Sequence, residues 1–190
     1  MTPFRTPPAS VHAHRARRRV AGGLAALATG AALLAAPAVA GAGSAAAATC
    51  GTAWGSRAKT SAPMATGRVT GVRAGRHACF DRLVLDLTGR APGFDVRYVS
   101  AVTQDGSGFP VPVVGGARLA VVAHKGATAV PAMPSVAGFT TFRQVRWAGS
   151  FEGQSTVALG VRSRLPLRTF TTYDAVTHRS RLVLDVAHAW

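Results

Sequence analysis

Acidic side chains are scarce in this chain. Among 190 residues only 7 are Asp or Glu against 22 Lys and Arg, a formal charge of +15, and charged side chains of both signs make up 15% of the whole. An acidic disordered chain is thereby excluded. Cysteine is scarcer still. Cys50 and Cys79 can close one bridge at most, which rules out a disulfide-dense or metal-rich miniprotein. Uninterrupted helical periodicity is missing too, because 21 Gly and 11 Pro are scattered along the chain, too widely for a coiled coil.

Charge is absent altogether from residues 20–40, a run dominated by Ala, Gly, Leu and Val that follows Arg5, Arg15, Arg17, Arg18 and Arg19. A basic stretch and then an apolar one is what an export machinery reads as a signal peptide. The run is long enough to span a bilayer but too rich in Ala and Gly to suggest a permanent transmembrane anchor. Small residues mark two cleavage points, Ala38-Val39-Ala40 and Ala46-Ala47-Ala48, of which the second precedes a change of composition at Thr49-Cys50. Residues 1–48 are therefore assigned to the signal peptide, 49–68 to an extension tied by Cys50, and 69–190 to the folded domain. The expected location is secreted or cell-wall associated. Cleavage after Ala48 leaves 142 residues with 17 basic and 7 acidic side chains. One domain of that size buries about 70% of the surface its unfolded chain exposes, enough for a core without metal.

An oxidising exterior favours a Cys50–Cys79 disulfide. The competing reading makes Cys50 a lipidated N-terminus, which Thr49 disfavours, since lipoprotein processing prefers a smaller residue there.

From Val69 onward the pattern has period two. Residues 80–87 set Leu83, Leu85 and Leu87 on one face and Arg82, Val84 and Asp86 on the other, a half-buried strand. Further strands are expected over 94–102, 109–113, 117–124, 142–148, 156–162, 167–173 and 181–186, about eight short strands in all. Asp105-Gly106 marks a hairpin turn. Pro110 and Pro112 place 109–113 at a sheet edge, and residues 125–140, with Pro131 and Pro134, read as a surface loop. Many short strands with glycine and proline punctuation indicate an all-β fold, a β-sandwich.

One internal echo is informative. Arg82-Leu83-Val84-Leu85-Asp86-Leu87 returns as Arg181-Leu182-Val183-Leu184-Asp185-Val186. Each copy points an Arg-x-Val-x-Asp row outward. Antiparallel pairing with Val84 opposite Val183 would set Arg82 against Asp185 and Arg181 against Asp86, cross-strand pairs worth about 0.2–1 kcal/mol each.

The chain resembles the AMIN-like domain of exported bacterial proteins. The resemblance rests on Cys50-Gly51-Thr52-Ala53-Trp54-Gly55-Ser56, on Gly75-Arg76-His77-Ala78-Cys79-Phe80-Asp81 running into the first echo, on Pro92-Gly93-Phe94-Asp95-Val96-Arg97-Tyr98-Val99, on Asp105-Gly106-Ser107-Gly108, on Phe151-Glu152-Gly153 and on the second echo through His188. It implies two small sheets. AMIN domains proper are non-catalytic modules of N-acetylmuramoyl-L-alanine amidases and outer-membrane secretins that bind peptidoglycan. AMIN-like domains, more distant, commonly stand alone after a signal or lipoprotein peptide. What the resemblance implies for function is a non-enzymatic envelope module associating with peptidoglycan.

The charge supports an anionic partner independently, because wall polymers carry the abundant phosphates and carboxylates outside a bacterial cell and a guanidinium grips two oxygens at once. Arg143-Gln144-Val145-Arg146-Trp147 is the first candidate segment. Alternation sets Arg143, Val145 and Trp147 on one face, able to stack on a sugar beside an anionic group, whereas a tryptophan packed in the core is the plainer expectation. Arg76, His77 and Arg97 complete the ligand-binding set, and Trp54 is expected to pack over the disulfide. No catalytic residue is assigned. A Ser107, His77, Asp81 constellation lacks a nucleophile elbow, and glycan hydrolysis needs two converging carboxylates in a chain that has few to spare. The histidines have no metal-ligand spacing, so neither metal nor cofactor is expected. Export removes nucleic acid as a partner. An exported protein-binding or inhibitor module using the edge at 109–113 is the alternative.

Overall fold

A computed structural model describes residues 50–190. The expected signal peptide and its cleavage points lie outside the described residues. Nine strands run in chain order: β1 Lys59–Ser61, β2 Val69–Arg76, β3 Phe80–Thr88, β4 Phe94–Val99, β5 Ala117–Ala123, β6 Phe142–Phe151, β7 Gln154–Val161, β8 Leu167–Asp174 and β9 Arg179–Ala187. They form two antiparallel sheets, one ordered β1-β4-β5-β7-β6 and the other β2-β3-β9-β8. No helix occurs among the described residues. The alternating aliphatics account for the layering. Leu83, Leu85 and Leu87 of β3 and Leu182, Leu184 and Val186 of β9 meet Val96, Leu119, Val121, Val157 and Leu159 of the facing sheet in one buried core.

The echo pairs as its charges require. β3 and β9 run antiparallel with Val84 opposite Val183, Arg82 opposite Asp185 and Asp86 opposite Arg181. The Cys50–Cys79 disulfide is formed across a separation of 29 residues, with its Cα atoms 5.2 Å apart. It ties the extension to the start of β3, and a crosslink of that span stabilises the fold by about 3 kcal/mol in the loop-closure picture.

Three elements differ from expectation. Lys59–Ser61, with no alternation long enough to read, is a strand because it pairs with β4 in the register Lys59 to Val96. Residues 109–113 are not an edge strand. Apart from one bridge between Thr103 and Pro110, the segment crosses the outer face of the five-stranded sheet, where Val102, Val111 and Val113 pack on Ala148 and Ala158 in a second small core. The close approach depends on Gly160, where a Cβ would overlap the Val114 carbonyl oxygen. An edge route to a protein partner at 109–113 is thereby lost. Finally, Lys125 does not open an exposed loop. It is 1% exposed, and its ammonium donates to the carbonyls of Thr88 and Arg90 and reaches Ser180 Oγ at 3.4 Å, a cross-tie between the sheets. Burial with no carboxylate beside it pulls its pKa below the ordinary lysine value.

Candidate functional site

The site is built on the outer face of the four-stranded sheet. Period two fixes its residues once the register is known. β3 supplies Phe80, Arg82, Val84 and Asp86, and β9 supplies Arg179, Arg181, Val183 and Asp185. β2 sets Arg73 beside Val84 and Gly71 beside Asp86, while β8 sets Arg168 beside Asp185 and Phe170 beside Val183. Val84 and Val183 are both buried, although they sit on the outward side. The long side chains around them can shield them with their aliphatic stems.

Asp185 anchors one end. Its side chain is 0% exposed although it belongs to the outward row. Arg82 donates to its two oxygens at 2.6 and 2.9 Å, and Arg168 adds a third bond at 2.8 Å. The hydrogen bonds to Asp185 hold the Arg82 guanidinium above its ordinary pKa. Aromatic rings close over these charges. The Arg168 guanidinium lies 4.4 Å from the Trp54 ring centre and 5.4 Å from that of Phe80, within cation–π range. Trp54 meets Phe80 edge-on at 5.7 Å, so it packs beside the residue that follows Cys79. The extension is further fixed by Leu167 N–H donating to the Gly55 carbonyl at 2.8 Å.

Asp86 anchors the other end and stays open. Arg73 grips it in bidentate fashion at 2.7 and 3.0 Å, and Arg181 Nε stands 3.6 Å away. Their side chains are 55% and 51% exposed. A groove of about 580 Å³ opens here, lined by Thr70, Gly71, Arg73, Asp86, Arg179 and Arg181 among others.

The six ligand-binding candidates read from sequence do not converge. Arg143 falls at a bulge between Phe142 and Gln144, which takes it out of the expected alternation. It donates to the Phe139, Thr140 and Phe142 carbonyls, and Arg76 donates to Gly138 in the same loop at 3.2 Å. Trp147 packs against the main core and therefore does not form a stacking face with Arg143. Arg146 donates to the Pro112 carbonyl at 2.8 Å, pinning the crossing loop, and Arg97 pairs with Asp95. His77 alone adjoins the outer face, stacked on Phe80 with ring centres 4.4 Å apart. Asp81 is served by another histidine, His188, at 3.1 Å. Sequence reasoning passed over Arg73, Arg168, Phe170 and Arg179. Their alternation was readable, but which strands flank the β3–β9 pair was not.

No curated protein and no solved structure matches the chain. The AMIN-like domain model matches residues 67–188, a span that runs from just before β2 to just past β9 and contains both ends of this face apart from Trp54. With a two-sheet sandwich, the paired echo and that match together, the chain belongs to the AMIN-like domain family.

Proposed function

We propose that the protein is an exported cell-envelope module that associates, without catalysing a reaction, with peptidoglycan or with anionic polymers attached to it. The observation that carries this reading is the outer face just described, where Arg73, Arg82, Arg168, Arg179 and Arg181 outnumber Asp86, Asp174 and Asp185 and Phe170 stays 36% exposed. Guanidinium groups suit phosphates and carboxylates, and exposed aromatic rings suit the apolar faces of sugars. The non-enzymatic part of the proposal draws support from the acids. Asp81, Asp86, Asp95, Asp105, Asp174 and Asp185 all accept hydrogen bonds within the fold, which leaves little for an acid and base pair.

Purified protein mixed with isolated cell walls is expected to co-sediment at low ionic strength and to be released as salt rises, because screening at about 1 M salt shortens electrostatic reach to about 3 Å. Equal recovery in the supernatant with and without walls would refute the reading. Retention unchanged by salt would assign the binding to stacking and hydrogen bonds instead of arginine charge.

A further inference from the structure

The paired echo creates a local two-fold relation across the outer face. Exchanging β3 with β9 carries Arg82 onto Arg181, Val84 onto Val183 and Asp86 onto Asp185, and carries β2 onto β8. Each end then holds a carboxylate flanked by arginines, but the ends are finished differently. At the Asp185 end the neighbouring strand contributes Arg168. At the Asp86 end the equivalent position is Gly71, with no side chain to fill the space. Phe80 at the first end corresponds to Arg179 at the second. One end is therefore sealed by Trp54, Phe80 and Arg168, while the other is left as a groove with one more guanidinium.

We infer that the groove between Gly71, Arg73, Arg179 and Arg181 is an anion subsite that takes a phosphate group, in the wall setting a phosphodiester of an anionic polymer. The wall polymer as its source rests on the proposed function. The site itself rests on the geometry. Arg73 commits Nε and Nη2 to Asp86 and retains Nη1. Arg181 approaches Asp86 no closer than 3.6 Å, too far for a hydrogen bond. Among the described residues the Arg179 guanidinium makes neither a hydrogen bond nor an ion pair, its backbone alone being held in the β9 ladder. The carboxylates facing them are Asp86, already held by Arg73, and Asp174, paired in register with Arg179 and accepting from the Val176 and Thr177 amides at 2.9 and 3.2 Å. Three guanidiniums against two engaged carboxylates leave a net positive groove with donors from three strand positions, an arrangement that suits tetrahedral oxygens better than one planar carboxylate.

The test titrates inorganic phosphate into the purified protein and follows backbone amide shifts. Saturable shifts centred on Gly71 and on residues 179–181 are expected. The Arg179→Gln, Arg181→Gln double variant should weaken them by about tenfold or more, since each charge-assisted bond counts for a factor of that order. Gly71→Leu keeps every charge and fills the groove. The nearest neighbours of a Cβ there are Asp86 atoms at 3.8 and 3.9 Å, so it should fold and yet lose binding. Arg118→Gln, on β5 of the other sheet, should change nothing. A polymer of glycerol phosphate should compete with phosphate at the groove, and poly-glutamate should compete much less. Shifts spread without saturation over all arginines, groove variants that bind like the parent, or poly-glutamate competing as well as the phosphate polymer would overturn the inference. Wall sedimentation separates the two claims. Walls held equally by parent and double variant would remove the subsite and leave the envelope reading standing, whereas saturable phosphate binding by a protein that ignores walls would do the reverse.

Discussion

Replacing Asp185 with asparagine is expected to lower the unfolding free energy by about 3 kcal/mol, while the same change at Asp86 should cost less than about 1 kcal/mol. The two acids occupy equivalent register positions opposite an arginine of the partner strand, so sequence alone treats them alike. Burial separates them. Asp185 is fully enclosed and accepts three charge-assisted bonds from Arg82 and Arg168. Asparagine keeps one acceptor oxygen and removes the charge, leaving two guanidiniums beneath the rings of Trp54 and Phe80. The estimate sits at the low end for a broken buried pair because Arg82 and Arg168 side chains are 29% and 42% exposed and can recover some hydration. Asp86 and Arg73 are already wet, and exposed pairs contribute little. Urea denaturation of both variants measures the contrast. Equal losses would mean that the rings do not shield the Asp185 end.

The second large effect is expected at Asp81, where alanine should destabilise by about 3–5 kcal/mol. This carboxylate is fully buried at the end of the sandwich where the two sheets are stitched. Its Oδ2 accepts the Thr141 and Phe142 amides at 2.6 and 3.0 Å, fixing the start of β6 against β3, and its Oδ1 faces His188 Nε2 at 3.1 Å. Truncation strands two buried N–H donors and opens a small cavity. Asp81→Asn, which preserves an acceptor for those amides, should recover part of the loss. If alanine and asparagine behave alike, the amides are not the groups that matter.

The physical reason for what could be read early is locality. Alternation within a strand shows which side chains share a face, and the near-identity of residues 82–87 and 181–186 made one long-range register a matter of matching opposite charges, which β3 and β9 adopt. The two lone cysteines likewise left one bridge to form, and it forms. Locality also limits the reading. Lys59–Ser61 is a strand only because β4 lies beside it. Pro110 and Pro112 announce a segment that cannot donate to a ladder, yet whether it lies at an edge or over a face is decided by Gly160 about fifty residues later. Arg143 and Trp147 looked like neighbours on one face on the assumption of unbroken alternation, and the bulge at Arg143 breaks it. That Asp185 is enclosed while Asp86 stays open was not legible, because Trp54, whose ring lies over Arg168, comes from a remote part of the chain.

The matched ribbons bear on how the protein reaches its fold. Each is as complementary to another copy of itself as to its native mate, because an Arg-x-Val-x-Asp row set antiparallel against an identical row satisfies both charges. The native mate lies a hundred residues away, so closing that loop is slow compared with local turns. A neighbouring molecule at high concentration therefore offers either ribbon an equivalent substitute, and crowded refolding should yield swapped or tangled assemblies where dilute refolding yields monomers, a difference that gel filtration reads directly.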